Sequence, residues 1–225
     1  MRTRLMVVAV VTALVLGLAG TAGAGLVTIA DSQGEFSSTQ GQDNWYYGYW
    51  AESGGYNPAN FVEMPLFEVG SRWTEAGGRS NPWWTYHSST LSHPGTAASP
   101  HHWAVRRWIS EVDATVTISG IVRRSTFDGD YRSDGITAYL VVDGTTVGTW
   151  TRSKTQQDAI NYSLDVPVSI GSKVDLVLDP NNYDRSDTTY FTAMVQYEPP
   201  VTAVPEPTSL GLLGLAALGL RKRRR

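Results

Sequence analysis

The 225-residue sequence contains no cysteine. That absence excludes disulfide staples, thiol nucleophiles and thiolate-bound zinc. Charge is also sparse, at 17% of residues. Seven of the 18 cationic residues lie at the two ends (Arg2, Arg4 and the run 221–225), whereas Glu206 is the one acidic residue there. Residues 25–203 therefore hold 11 cationic against 20 acidic residues, a net charge of −9. An acidic body repels a phosphate backbone, which excludes a nucleic-acid partner. No apolar run reaches the ~20 residues that span a bilayer. G-x-S-x-G, P-loop and G-x-G-x-x-G motifs are all missing, which removes the common serine-hydrolase and nucleotide-binding signatures.

What is present begins with the two ends. Residues 1–24 join Arg2 and Arg4 to an apolar run, Leu5 to Leu18, and then to Ala22-Gly23-Ala24. A positive start, a short apolar stretch and an A-x-A site predict a secretory signal peptide, with a membrane anchor as the alternative. At the other end, Val204-Pro205-Glu206-Pro207 precedes Leu210 to Leu220, which contains only Leu, Gly and Ala, and then Arg221-Lys222-Arg223-Arg224-Arg225. As a helix the apolar part is about 16 Å long. That is roughly half a hydrocarbon core, too short for a lasting span. The basic end stays on the cytoplasmic side and halts export.

Residues 204–225 resemble the PEP-CTERM sorting signal of Gram-negative bacteria, with Pro205, Glu206 and Pro207 as the recognition element. The resemblance implies processing by an exosortase, transient membrane association through the C-terminal segment, and release to or attachment at the cell surface or extracellular matrix. The chain then divides into a signal peptide (1–24), one domain (25–203) and the sorting tail (204–225).

Within the domain, residues 31–103 are rich in Gly, Ser, Asn and aromatics and show no helical period. Seven of the eight tryptophans lie at or before position 108. Trp45 to Trp50 reads as a strand, with Trp45, Tyr47 and Tyr49 on one face and Tyr46 and Trp50 on the other. Asn60 to Phe67 is a second candidate. From residue 104 the pattern is strand after strand: 104–110, 112–119, 136–142, 145–152, 160–168, 173–178 and 188–197. Val112, Ala114, Val116 and Ile118 alternate with polar residues, as in a strand with one wet face. Asp143-Gly144 between two such runs predicts a tight hairpin. The expected fold is an all-β antiparallel sandwich, jelly-roll-like, flanked by an N-terminal signal helix and a short C-terminal apolar helix. An immunoglobulin-like sandwich is the rival.

Residues 31–197 also resemble a domain that recurs in PEP-CTERM and related surface proteins. The resemblance is carried by Thr39 to Tyr49, His93-Pro94-Gly95, Ala104 to Trp108, Ile118-Ser119-Gly120, Val142-Asp143-Gly144, Asp179-Pro180 and Phe191-Thr192-Ala193. It implies a jelly-roll fold similar to carbohydrate-binding modules and brings no catalytic motif.

Aromatic rings are the first functional candidates, because pyranose C–H faces stack on them. The candidates are Trp45, Tyr47 and Tyr49, and Trp83, Trp84 and Tyr86, with Asn44, Arg79, Asn81 and His87 near them in sequence to hold hydroxyls. The alternative is that these rings fill the core. Adjacent Trp83 and Trp84 cannot share one face of a strand, so one of them is expected to be exposed. The loops at 128–135 and 179–187 are acidic. Asp179, Asn181, Asp184 and Asp187 form a candidate structural calcium loop, against the simpler reading of Asx turns. The 128–135 loop does not fit an EF-hand, because its twelfth position is Tyr139 rather than Glu. His87, His93, His101 and His102 lack metal-site spacing.

Three functions remain. The first is a non-catalytic surface or matrix protein that binds extracellular polysaccharide. The second is a small glycoside hydrolase or polysaccharide lyase. A hydrolase draws its carboxylate pair from Glu52, Glu63, Glu68, Glu75 and Glu111, and a lyase draws on Tyr86, His87, His101 and Arg106. The third is a structural coat or biofilm protein without a ligand, for which every tryptophan would be buried.

Overall fold

The computed structural model describes residues 25–200, apart from 52–54, 69–70, 79–83, 97–98 and 126–132. The two flanking helices, the motif Pro205-Glu206-Pro207 and Trp83 lie outside the described residues, as do Glu52, Arg79, Asn81 and most of the 128–135 loop. The strands are β1 (Val27–Asp31), β2 (Trp45–Trp50), β3 (Val62–Glu63), β4 (Leu66–Glu68), β5 (Arg72–Thr74), β6 (Tyr86–Ser88), β7 (Leu91–His93) and β8 (Trp103–Ile109). They continue with β9 (Ala114–Arg124), β10 (Ile136–Val142), β11 (Thr145–Arg152), β12 (Ile160–Val168), β13 (Lys173–Asp179), β14 (Thr189–Phe191) and β15 (Met194–Tyr197).

All pairings are antiparallel and form two sheets. One runs β1-β15-β9-β14-β7-β6-β5-β4, with β12 on the other side of β9. The second runs β11-β10-β13-β8-β2-β3. The fold is thus an antiparallel β-sandwich. The expected strand at 60–67 is two short strands, and the expected strand at 188–197 breaks between β14 and β15.

Local chemistry sets these elements. Asp143 and Gly144 both have positive φ, 47° and 85°. The pair therefore makes the primed two-residue turn between β10 and β11 that the Asp-Gly signal demands. The Asp143 side chain also accepts from the Lys173 backbone N–H at 2.8 Å, tying the turn to β13. The central strand β9 hydrogen-bonds β12 along one edge, and β15 then β14 along the other. Gly120 sits where one partner gives way to the next. A Cβ there would collide with the Thr192 carbonyl oxygen, so the crossing requires glycine.

Alternation fills the space between the sheets. Val116, Ile118 and Val122 from β9 meet Ala138 and Leu140 from β10, Val174, Leu176 and Leu178 from β13, and Trp45, Tyr47 and Trp108. Most tryptophans are core. The Trp45 indole N–H donates to Glu35 at 2.8 Å and that of Trp73 to the Ser37 carbonyl at 2.9 Å. These bonds remove the cost of burying an indole donor.

A cation without a carboxylate partner lies in this core. Arg106 points inward from β8, is 1% exposed, and has no carboxylate among its hydrogen-bond partners. Its guanidinium crosses the sandwich to donate to the carbonyls of Ser32 at 2.8 Å, Ser88 at 2.7 Å and Ser89 at 3.3 Å. The rings of Phe36 and Tyr47 flank it at 5.9 and 5.7 Å. Lysine keeps the charge but not the planar fork that reaches three carbonyls. Arg106→Lys is expected to lower unfolding stability by about 2–3 kcal/mol, read as the midpoint of urea denaturation. An unchanged midpoint would mean that the guanidinium does not hold the sheets together.

Candidate functional site

The exposed Trp84 and the half-buried Tyr86 lie at the β4-β5-β6-β7 end of the larger sheet. In β6 the alternation sends His87 inward and Tyr86 outward. Tyr86 pairs in register with Thr74 of β5 and His93 of β7. The Tyr86 and His93 rings stack at 5.4 Å with planes 11° apart. Trp84 stands almost perpendicular to both, 6.1 Å from Tyr86 and 5.9 Å from His93. The Arg72 guanidinium lies 4.7 Å from the Tyr86 ring and 5.7 Å from the Trp84 ring. It is held there by Glu68, whose carboxylate accepts from Nε at 2.8 Å.

Trp84 is 49% exposed, and its backbone has φ of 58°. A bulky side chain in the left-handed region costs on the order of 1–3 kcal/mol, and such strain collects at ligand sites. Here it holds an indole out in solvent beside a guanidinium and a carboxylate. A flat apolar face with flanking charged hydrogen-bonding groups is what a sugar ring requires.

The other sequence candidates fall elsewhere. Trp45 and Tyr47 are fully buried and build the core, so they offer no platform to a ligand. Tyr49 packs against that same core with its ring stacked on His102 at 4.7 Å. His87 is also buried. One ring nitrogen contacts the Ser92 hydroxyl at 2.8 Å and the other the Gly48 carbonyl at 2.9 Å. The lyase nominees do not converge: His87 and Arg106 are interior, Tyr86 is on the outer face, and His101 contacts the Asn181 carbonyl. Glu75 is buried against His102 at 2.8 Å, and Glu68 is taken by Arg72. Sequence reasoning missed Arg72 and His93 as neighbours of Trp84, because the short strands β5 and β7 carry no periodic signal.

Asp179, Asn181, Asp184 and Asp187 each make hydrogen bonds within the protein. Asp179 accepts from the Asn181 N–H at 2.8 Å, an Asx turn. The Asn181 side chain accepts from Thr137 at 3.0 Å and donates to the Gly135 carbonyl at 2.8 Å. Asp184 accepts from the Thr96 N–H at 3.0 Å. Asp187 faces Arg124 and Ser133 in the interior. Among the described residues no three His, Asp or Glu side chains are placed to hold a metal ion.

One comparison decides where the protein goes. Residues 203–225 match the PEP-CTERM protein-sorting motif. The chain is therefore an exosortase-sorted, exported protein directed to the cell surface. No curated protein matches it. A crystal structure of pika GITRL is similar with 10% identity and a TM-score of 0.29, over 69% of this chain and 98% of that one. A likeness that weak carries no argument about fold or activity.

The domain holds two histidines neutral beside this site. Burial, reinforced by the nearby Arg106 charge, lowers the His87 pKa to about 3. Burial lowers that of His93 to about 4, against the opposing pull of Asp184. The unfolded chain protonates these groups near pH 6.5. Their contribution is complete above that value and drains away as pH falls toward the folded pKa. Relative to His87→Gln, the native protein is expected to lose about 2 kcal/mol of stability between pH 6.5 and pH 5, measured by denaturant unfolding at each pH. A pH-independent difference would show that His87 accepts a proton in place.

Proposed function

We propose that this exported surface protein is a non-catalytic binder of extracellular polysaccharide, with Trp84 as the stacking residue. The observation that carries the reading is the strained, half-exposed indole of Trp84 over Arg72 and Tyr86. A structural coat protein without a ligand has no use for such strain. In this reading the signal peptide ends at Ala24 and the apolar run 210–220 associates transiently with the membrane. The exosortase then processes the tail around Pro205-Glu206-Pro207, leaving the sandwich outside the cell.

The exposed, strained geometry separates binding from stability. Trp84→Gly removes the stacking surface and relieves the left-handed backbone. The variant is expected to lose at least tenfold in polysaccharide affinity, about 1.4 kcal/mol, in affinity gel electrophoresis. Its thermal midpoint should match or exceed that of the native chain. Unchanged retention in every polysaccharide gel would overturn the reading in favour of a coat role.

A further inference from the structure

A second aromatic surface lies on the outward face of the six-stranded sheet, away from Trp84. Alternation in β2, β8, β10 and β13 sends Trp50, Trp103, Val105, Tyr139, Val141 and Val177 to this side. Tyr56 and Phe61 cover part of the cluster. The cover is pinned by charge. Asp175 receives two bonds from Arg107, at 2.7 and 2.9 Å, and one from the Tyr56 hydroxyl at 2.7 Å. Arg107 also donates to the Pro58 carbonyl at 2.9 Å and sits 4.2 Å over the Phe61 ring.

Between this cover and the Asp143-Gly144 turn a groove of about 250 Å³ remains open. Its walls are Gly55, Tyr56, Trp103, Tyr139, Val141 and Thr146. The Trp103 and Tyr139 rings are near parallel, 7° apart in plane and 5.8 Å between centroids. Trp50 braces Trp103 from the side at 4.9 Å. The Trp50 indole N–H is buried and meets no acceptor among the described residues. Pinned walls of this kind bind without an ordering cost.

We propose that this groove takes one pyranose ring of a neutral glycan and, with Trp84, makes the sandwich bivalent for polysaccharide; the inference rests on the glycan-binding reading above. Aromatic walls match the apolar C–H faces of a sugar. The Thr146 hydroxyl and the Tyr139 phenol supply hydrogen-bonding groups at the rim. The ligand is neutral on two grounds. The Arg107 guanidinium is already paired with the Asp175 carboxylate through Nε and Nη2, which neutralises the cation at this face. The domain itself carries 11 cationic against 20 acidic residues, which repels an anionic polymer. Two sites on different sheets raise avidity for one long chain, or join two chains.

The test titrates the full chain with cellohexaose and laminarihexaose, with oligogalacturonate as the acidic control. Two sites are expected in the native chain, one in Trp84→Gly, one in Trp103→Ala and none in the double variant. Tyr139→Ala repeats the measurement should Trp103→Ala fail to fold, because its ring lies farther from the Trp50 packing. Preference for oligogalacturonate would overturn the neutral-glycan assignment. One site in the native chain, kept in Trp103→Ala and lost in Trp84→Gly, would overturn the groove and leave the Trp84 reading standing. No binding in the native chain would remove both. A native dimer that Trp103→Ala converts to monomer would reassign the groove to a second copy of the chain.

Discussion

A guanidinium in an apolar interior holds this sandwich together. Burying a cation without a carboxylate is costly, and burial pulls the Arg106 pKa down to about 10. The group stays charged at neutral pH because three backbone carbonyls converge on it from the opposite sheet. Those carbonyls belong to turns that would otherwise bury unpaired acceptors. The bond set thus solves two problems at once and fixes the turn after β1 and the β6–β7 turn against β8. In a chain without cysteine, such contacts do the cross-linking that disulfides do in many small exported domains.

Two more arginines repeat the device. Arg107, next in β8, points the other way and ties the Tyr56–Phe61 cover to the outer face through Asp175. Arg124, at the end of β9, is fully buried and donates to the carbonyls of Ser153 and Ser186 and to Ser133 and Asp187. Burial pushes the Asp187 carboxyl up even beside that cation. Each arginine clamps loops that sheet hydrogen bonds do not reach. The buried His87 follows from the first of them, since the Arg106 field adds to desolvation in keeping the imidazole neutral.

Much of the fold was legible because its signals are local. Trp45 to Trp50, Ile136 to Val142, Thr145 to Arg152 and Ile160 to Val168 are strands within the bounds their patterns suggest. Asp143-Gly144 is the hairpin turn that it spells. The strands β5, β6 and β7 were not legible, because three residues carry no period and their pairing depends on distant partners. The site suffered the same loss. Exposed aromatics and buried ones look alike in a sequence, so Trp45 and Tyr47 stood beside Trp84 and Tyr86 as candidates until packing separated them. Trp103 and Tyr139 drew no notice, since each sits in a strand where alternation alone reads as ordinary sheet.

The allocation of cations explains what kind of surface results. Arg72 goes to Glu68, Arg106 to carbonyls, Arg107 to Asp175, Arg124 to Asp187 and Arg152 to Asp158. Arg123 lies over the Tyr190 ring at 4.4 Å. Positive charge is thus spent inside the fold, while the acidic excess stays with the domain as a whole. Under the polysaccharide-binding proposal, a surface of that kind favours a neutral glycan over phosphate or uronate. Under the same proposal, the aromatic residues on the two outer faces are the groups left for stacking, so the arginines that stabilise the sandwich would also bias what it binds.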